Sequence, residues 1–133
     1  MADDDVHLEL LLAYDHIGCK MSDLQEFVKS IPSKIKNIDI STSTDIGAMI
    51  RVEYEEISWE FEFGFLCCDK ILLWKSCRRN GKRFGYQCVY HTNGIVAIRG
   101  FYLLDKRDGL WEERNYEGEL TNKKSYENGR LIS

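Results

Sequence analysis

Near its C-terminus the chain reads Gly109-Leu-Trp-Glu-Glu-Arg-Asn-Tyr-Glu-Gly-Glu-Leu120, and shortly afterwards Ser125-Tyr-Glu-Asn-Gly-Arg-Leu131. Part of this pattern also occurs earlier in the chain, displaced by a constant interval that we call the repeat spacing. The pairs that match at this interval are Gly85 and Gly109, Gly94 and Gly118, Val96 and Leu120, and Tyr102 and Tyr126. Self-similarity at a constant spacing indicates tandem structural units, each of which buries its apolar face against the next one.

Each unit is predicted to be a β-hairpin. Asn80-Gly81-Lys82 matches Asn128-Gly129-Arg130 at twice the repeat spacing, and Asp105-Lys106 stands between them. Asn-Gly dipeptides tolerate the positive φ angles that two-residue hairpin turns require. The aromatic residues that we expect to form the stacked core are Tyr86, Tyr90, Phe101, Tyr102, Trp111, Tyr116 and Tyr126.

These segments resemble the MORN repeat, in the antitoxin-type variant written G-x-W-x-x-Y-x-x-N-G-x-L followed by x-Y-x-N-G-K. The resemblance covers residues 80–133, about two copies. Similar repeats occur in bacterial antitoxin-like proteins and are abundant in giant DNA viruses of amoebae, notably the marseillevirus group. The resemblance implies a β-meander with protein or lipid contacts and no catalytic residues. It implies structural roles for Gly85, Gly94, Tyr102, Gly109, Trp111, Gly118, Tyr126 and Gly129.

Residues 1–79 are predicted to form a small α+β lead-in. Apolar residues alternate from Val6 to Tyr14, which favours a strand, although the Leu, Glu and Ala content leaves a short helix as the alternative. An apolar face with helical spacing predicts one helix over residues 22–31. We expect Ser22 and Gln25 to cap its first turn, and Pro32 to end it.

From residue 38 onward the apolar pattern changes to a period of two. Strands are predicted at 38–40, 49–55, 59–65 and 71–74, with a turn or loop at 41–47. In the third of these, aromatic residues alternate with Glu60 and Glu62, which predicts a buried aromatic face and a solvated acidic face. The predicted fold is therefore α+β and mainly antiparallel β, with the sheet of 1–79 continuing into the hairpin repeats of 80–133.

Positive charge is concentrated in the middle of a chain whose net charge is −4. Residues 75–107 contain eight basic residues and one acid. The candidate polyanion-binding residues are Lys75, Arg78, Arg79, Lys82 and Arg83. Such a cluster can hold the phosphates of nucleic acid or of anionic lipid, or it can be a basic hairpin loop that pairs with an acidic neighbour.

The cysteine and histidine content gives little support for catalysis or metal binding. The five cysteines, which include Cys67 and Cys68, are odd in number and follow an acidic N-terminus, so we expect free thiols in a reducing, cytoplasmic location. Cys88 and His91 have a C-x-x-H spacing and are weak candidates for a metal site, with small core cysteines as the alternative. We predict no enzyme activity, no cofactor and no transmembrane span, since the longest apolar run is too short.

The sequence thus predicts a non-enzymatic module for protein interaction or assembly. The edge strand near residues 125–132 has no predicted neighbour, and an open edge favours self-association or pairing with a protein partner. The resemblance implies a viral structural or accessory component. Two alternatives remain: binding of a polyanion through residues 75–83, and antitoxin-like inhibition of a partner protein.

Overall fold

The computed structural model describes residues 4–43, 47–65 and 71–133, in which two helices precede ten strands. The helices are α1 (Asp4–Asp15) and α2 (Met21–Ser30). The strands are β1 (Asn37–Ser43), β2 (Gly47–Tyr54), β3 (Ile57–Phe65), β4 (Leu72–Arg79), β5 (Lys82–Arg83), β6 (Gly85–Tyr90), β7 (Val96–Leu103), β8 (Lys106–Arg114), β9 (Leu120–Glu127) and β10 (Arg130–Leu131).

All ten strands belong to one antiparallel sheet. Their order is β1-β2-β3-β4-β6-β7-β8-β9-β10, and the short β5 pairs with β4. Successive strands are thus neighbours in space, joined by hairpin connections. The predicted α+β class with a meander of hairpins is confirmed.

The core lies between the two helices and one face of the sheet. The Tyr14 ring of α1 lies 5.2 Å from Phe61, and the Phe27 ring of α2 lies 5.1 Å from the same phenylalanine. Phe61 and Phe63 are buried while Glu60 and Glu62 are only half-buried, so β3 has the alternation that the sequence predicts. We call this surface of the sheet the helix side and the opposite surface the outer face.

The strand predicted over Val6–Tyr14 is wrong, because this segment is helix α1. Val6, Leu10 and Tyr14 are buried, and each follows the last at the i, i+4 interval that places them on one helix face. Leu8 and Leu12, which the alternating pattern would bury with them, are exposed. The N-terminal segment therefore contains two helices instead of one.

Helix α2 agrees with the prediction in position and differs in its cap. It begins at Met21 after the N-cap residue Lys20, which makes no side-chain cap hydrogen bond, so Ser22 lies inside the first turn and the predicted capping box is wrong. An Asp23 carboxylate oxygen instead accepts a hydrogen bond from the Gly18 amide at 3.2 Å. The helix ends at Ser30, before Pro32.

Strands β1 and β4 are longer than predicted. Residues 41–43 of the predicted turn continue β1, and residues 44–46 lie outside the described part of the chain. Strand β4 extends to Arg79. Three of the five predicted polyanion-binding residues therefore lie on β4 and the other two on β5, and neighbouring side chains of a strand point to opposite faces.

Candidate functional site

The turns along one edge of the sheet recur at the repeat spacing. Two consecutive residues have positive φ in each turn, the signature of the two-residue hairpin turn that suits the sheet's twist. The residues and their φ angles are Asn80 (49°) and Gly81 (85°), Leu104 (47°) and Asp105 (71°), and Asn128 (51°) and Gly129 (88°). We call this side of the sheet the turn edge.

Each turn is hydrogen-bonded to a strand of the preceding hairpin. The Ser58 amide donates to Asn80 Oδ1 at 2.8 Å, and the Arg83 amide donates to Asp105 Oδ1 at 2.8 Å. The Gly129 amide donates to the Arg107 carbonyl oxygen at 2.8 Å. These bonds hold the turns against one another, so the turn edge is a continuous surface.

The loops at the opposite edge recur with the same spacing. The His91 amide donates to the Ile95 carbonyl at 2.8 Å, and in the next repeat the Asn115 amide donates to the Glu119 carbonyl at 2.9 Å. The loop glycines with left-handed φ are Gly94 (89°) and Gly118 (87°). These two predicted repeat glycines occupy equivalent turn positions.

Arginine and aromatic side chains form a second repeated feature on the outer face. Arg83 Nη1 donates to Tyr102 Oη at 3.2 Å, and its guanidinium lies 5.2 Å from the centre of that ring. Arg107 Nη1 donates to Tyr126 Oη at 3.2 Å, and its guanidinium lies 4.3 Å from the Trp111 ring. Such contacts fix the positions of the guanidinium groups.

The Trp111 ring also covers Gly100, a contact that the sequence does not predict. A Cβ built on Gly100 would come within 1.9 Å of the indole, so any side chain there displaces the ring. Gly64 lies under Trp74 in the same way. A glycine paired with a large aromatic across two strands is a usable sequence signal, because the ring fills the space that the glycine leaves.

Lys75, which the sequence predicted to bind a polyanion at the surface, is buried in the structure. It is 2% exposed, and its Nζ donates to the carbonyl oxygens of Tyr14 at 3.0 Å, Asp15 at 3.3 Å and Ile17 at 2.7 Å. Burial lowers the pKa of this ammonium group. Because its three hydrogens are directed into the protein, the prediction that Lys75 contacts a polyanion is wrong.

The other four predicted basic residues do not form one patch. Arg78 pairs with Glu62 on the outer face, with 3.4 Å between Nε and Oε1. The Arg79 guanidinium lies on the helix side, 5.8 Å from the Trp59 ring. Lys82 and Arg83 are exposed beside the first turn. Arg78 is the register partner of Arg83 and Arg79 that of Lys82, so the four residues flank one turn but divide between the two faces of the sheet.

A basic groove of about 620 Å³ lies at the turn edge. Its lining residues are Arg83, Tyr102, Asp105, Lys106, Arg107, Asn128, Gly129 and Arg130. Four of these eight are basic and one is acidic. The sequence signal for this groove is the same repeat spacing, since Lys82, Lys106 and Arg130 occupy equivalent positions. The prediction centred on residues 75–83 missed it because it considered only residues adjacent in sequence.

The side chains of Cys77 and Cys88 are packed in the protein interior, and the His91 ring contacts the backbone. Cys77 and Cys88 are buried, and burial raises the pKa of the Cys77 thiol. His91 Nε2 lies 2.8 Å from the Arg114 carbonyl oxygen. Over residues 4–43, 47–65 and 71–133 no three His, Cys, Asp or Glu side chains are grouped to hold a metal ion. Cys67 and Cys68 fall outside these ranges.

The sheet ends in an open edge at each side. β10 pairs only with Tyr126 and Glu127 of β9, so the first part of β9 has no neighbouring strand on that side within the described chain. β1 is the other terminal strand. The large apolar residues exposed beyond residue 100 are Leu103, Leu104, Leu110, Tyr116, Leu120, Leu131 and Ile132. Ile38 and Ile40 of β1 are exposed as well.

Comparison with known proteins adds no relative: no family model, no curated protein and no solved structure matches this chain. The resemblance to MORN repeats therefore stays a prediction. In the described part of the chain, neither helix has the length and apolar character needed to cross a membrane.

Proposed function

We propose that this protein is a non-enzymatic assembly module that extends its antiparallel sheet head to tail, with β1 of one copy pairing on β9 of the next. The observation that carries the proposal is the pair of open edges, β1 and the first part of β9. Unpaired strand edges are templates for pairing with another chain unless they are blocked.

The backbone of β9 is oriented for strand addition. The Ser125 amide and carbonyl bond to Ser133 and Ile132, so they point away from β8. Because peptide groups alternate along a strand, the amide of Lys123 points to the same side. Eight strands follow one another from β1 to β9, because β5 lies off this path, and neighbouring strands run in opposite directions. β1 and β9 are therefore antiparallel, and β1 of a second copy placed beside β9 continues the alternation.

The two edges also have complementary side chains. β1 contains Asp39 and no basic residue, whereas β9 contains Lys123 and Lys124. Asp39 pairs with Arg51 and Lys124 pairs with Trp111, which puts both on the outer face. Ile40 of β1 pairs with the buried Ile50 and so lies on the helix side, where β9 carries Lys123.

The charge pattern favours this head-to-tail contact over a symmetric one. In a two-fold pairing of β9 with itself, the lysines at 123 and 124 would approach their own copies, and like charges on neighbouring strands are destabilising. A head-to-tail contact instead places Lys124 on the same face as Asp39 of β1. Such a contact uses a different edge of each partner, so a free edge remains at each end and further copies can be added.

The test is the molar mass measured by size-exclusion chromatography with light scattering over a range of concentrations. We expect species larger than the 15.6 kDa monomer that grow with concentration. Lys123→Pro removes an outward amide and should abolish growth, whereas the matched control Lys123→Thr keeps the amide and should retain it. Circular dichroism establishes that each variant is folded.

A mixing experiment distinguishes head-to-tail pairing from the alternatives. Ile40→Lys places a positive charge on the helix side of β1, where β9 of the next copy carries Lys123, and this repulsion blocks the β1 edge while leaving β9 unchanged. Each blocked variant alone should be monomeric, and an equal mixture with Lys123→Pro should give a one-to-one dimer. Self-association of Ile40→Lys alone, or a monomer for the unmodified protein at every concentration, would overturn the proposal.

A further inference from the structure

We propose that the basic groove of the turn edge binds single-stranded nucleic acid through its phosphodiester backbone. The groove is separate from both open edges of the sheet, so this binding site does not depend on the proposed assembly. Its ligand class follows from three features of the described residues: the spacing of the cations, the way they are held, and the position of the acids.

The cations form one row along the turn edge. Lys82, Lys106 and Arg130 each follow a positive-φ turn, and all three are exposed. Each repeat adds two strands, and neighbouring strands are about 4.8 Å apart, so equivalent cations recur about every 10 Å. A linear polyanion lying across the strand ends would meet a positive charge at each repeat.

Two further cations are held beside this row. Arg83 and Arg107 are also separated by the repeat spacing, and each gives one Nη1–H to a tyrosine hydroxyl at 3.2 Å. A guanidinium has five N–H donors, so such contacts orient the group and leave other donors available. Guanidinium groups bind phosphate oxygens with paired N–H donors, and holding them in advance lowers the entropy that binding costs.

Two of the acids at this edge are engaged with the backbone of the turns. Asp105 Oδ1 accepts the Arg83 amide at 2.8 Å, and Asp108 Oδ1 accepts the Asn128 amide at 3.2 Å. They are therefore turned towards the protein chain. Glu127, the register partner of Arg130, is exposed at the same edge and offsets part of the charge of that arginine. The groove lining itself contains four basic residues and one acid, although the whole chain has a net charge of −4.

The row and the two arginines beside it line the same edge of the sheet, and one flexible backbone strand can follow such an edge. B-form DNA presents two backbones on either side of a major groove about 12 Å wide, so an edge that follows one backbone leaves the other uncontacted. The groove contacts phosphates and has no inserted element that would read base edges, so binding should tolerate any sequence.

The test is fluorescence anisotropy of labelled oligothymidine titrated with the intact protein at several salt concentrations. We expect log K to fall with log salt concentration by about 0.7 for each phosphate that is neutralised. With four groove cations engaged, the slope is about −2.8. The double variant Lys106→Glu with Arg130→Glu should weaken binding by more than about tenfold and bring the slope closer to zero.

A matched control changes the same charge elsewhere. Lys34→Glu with Lys36→Glu alters two exposed lysines just before β1, which strands β2, β3 and β4 separate from the groove, and should leave binding within about twofold. Equal losses in both double variants would show a nonspecific charge effect and overturn the site. Failure of the intact protein to bind, or tighter binding to duplex DNA or to vesicles containing phosphatidylserine, would overturn the proposed ligand.

Discussion

At the scale of single residues, Lys75 supplies what helix α1 lacks at its C-terminus. The last turn of α1 contains no basic residue, and its final carbonyl groups have no partner within the helix. The ammonium group of Lys75 reaches from β4 to the carbonyls of Tyr14, Asp15 and Ile17. One strand residue therefore holds the end of the helix against the sheet.

We predict that Lys75→Met lowers the free energy of unfolding by about 2 kcal/mol, because buried carbonyl groups lose their donor. Methionine fills a similar volume, so the loss reports mainly the missing hydrogen bonds. Urea denaturation followed by circular dichroism measures the change. The control Lys82→Met, at an exposed hairpin position, should stay within about 0.5 kcal/mol. Equal stability of both variants would contradict this role of Lys75.

At the scale of elements, the conformation of the turns repeats even where their sequence does not. Asn80-Gly81 and Asn128-Gly129 are typical hairpin-turn dipeptides, and both form the expected turn. Leu104-Asp105 is not such a dipeptide, yet it has the same left-handed geometry. The stacked turns on either side impose this conformation, which is unfavourable for a leucine.

We predict that Leu104→Asn raises the free energy of unfolding by about 0.5–1 kcal/mol, because asparagine tolerates a positive φ of 47° better than leucine does. Thermal or urea denaturation detects the gain. Leu103→Asn is the matched control, since this neighbouring leucine is exposed but lies in β7 without positive φ. The explanation would fail if both substitutions had the same effect, which would then reflect lost apolar exposure.

At the scale of the whole molecule, several buried titratable groups link global stability to alkaline pH. Burial raises the pKa of Cys77 from its ordinary value of 9.0, and those of Tyr14 and Tyr90 from 10.0. These groups stay protonated in the folded protein while they ionise in the unfolded chain. Their contribution is complete below the ordinary pKa and is lost as pH rises above it. The lowered pKa of Lys75 acts in the opposite sense, so this one group offsets only part of the effect of the three raised pKa values.

We predict that the Tm falls as pH rises above about 9, with a steeper fall above about 10, since the thiol ionises first in the unfolded chain and the two phenols follow. Scanning calorimetry between pH 7 and pH 11 measures the profile. Cys77→Val removes the thiol at similar volume and should move the onset towards pH 10. An unchanged onset in this variant would show that the buried thiol is not responsible.

Local sequence patterns predicted an element correctly where the pattern is compatible with only one kind of element. The period of two in β3 and the regular recurrence of turn residues were enough to predict a meander of antiparallel hairpins. They failed over Val6–Tyr14, because the residues that alternate there also include a set spaced by four. Both readings place Val6, Leu10 and Tyr14 on one face, and only packing against Phe61 selects the helix.

The interaction surfaces could not be predicted from local sequence patterns, because residues distant in the chain form them. The basic residues of 75–83 look like one cluster in the sequence, but strand alternation sends them to different faces and buries Lys75. The groove at the turn edge joins residues from 83 to 130, which only the stacking of hairpins brings together.

By itself the sequence determined the antiparallel hairpins and their repeat spacing, because alternation and turn chemistry are properties of neighbouring residues. Only the tertiary structure decided which charges face solvent, which edges stay open and where α1 lies. Those outcomes depend on the competition between burial and hydrogen bonding across the whole chain, and no local segment of the sequence contains it.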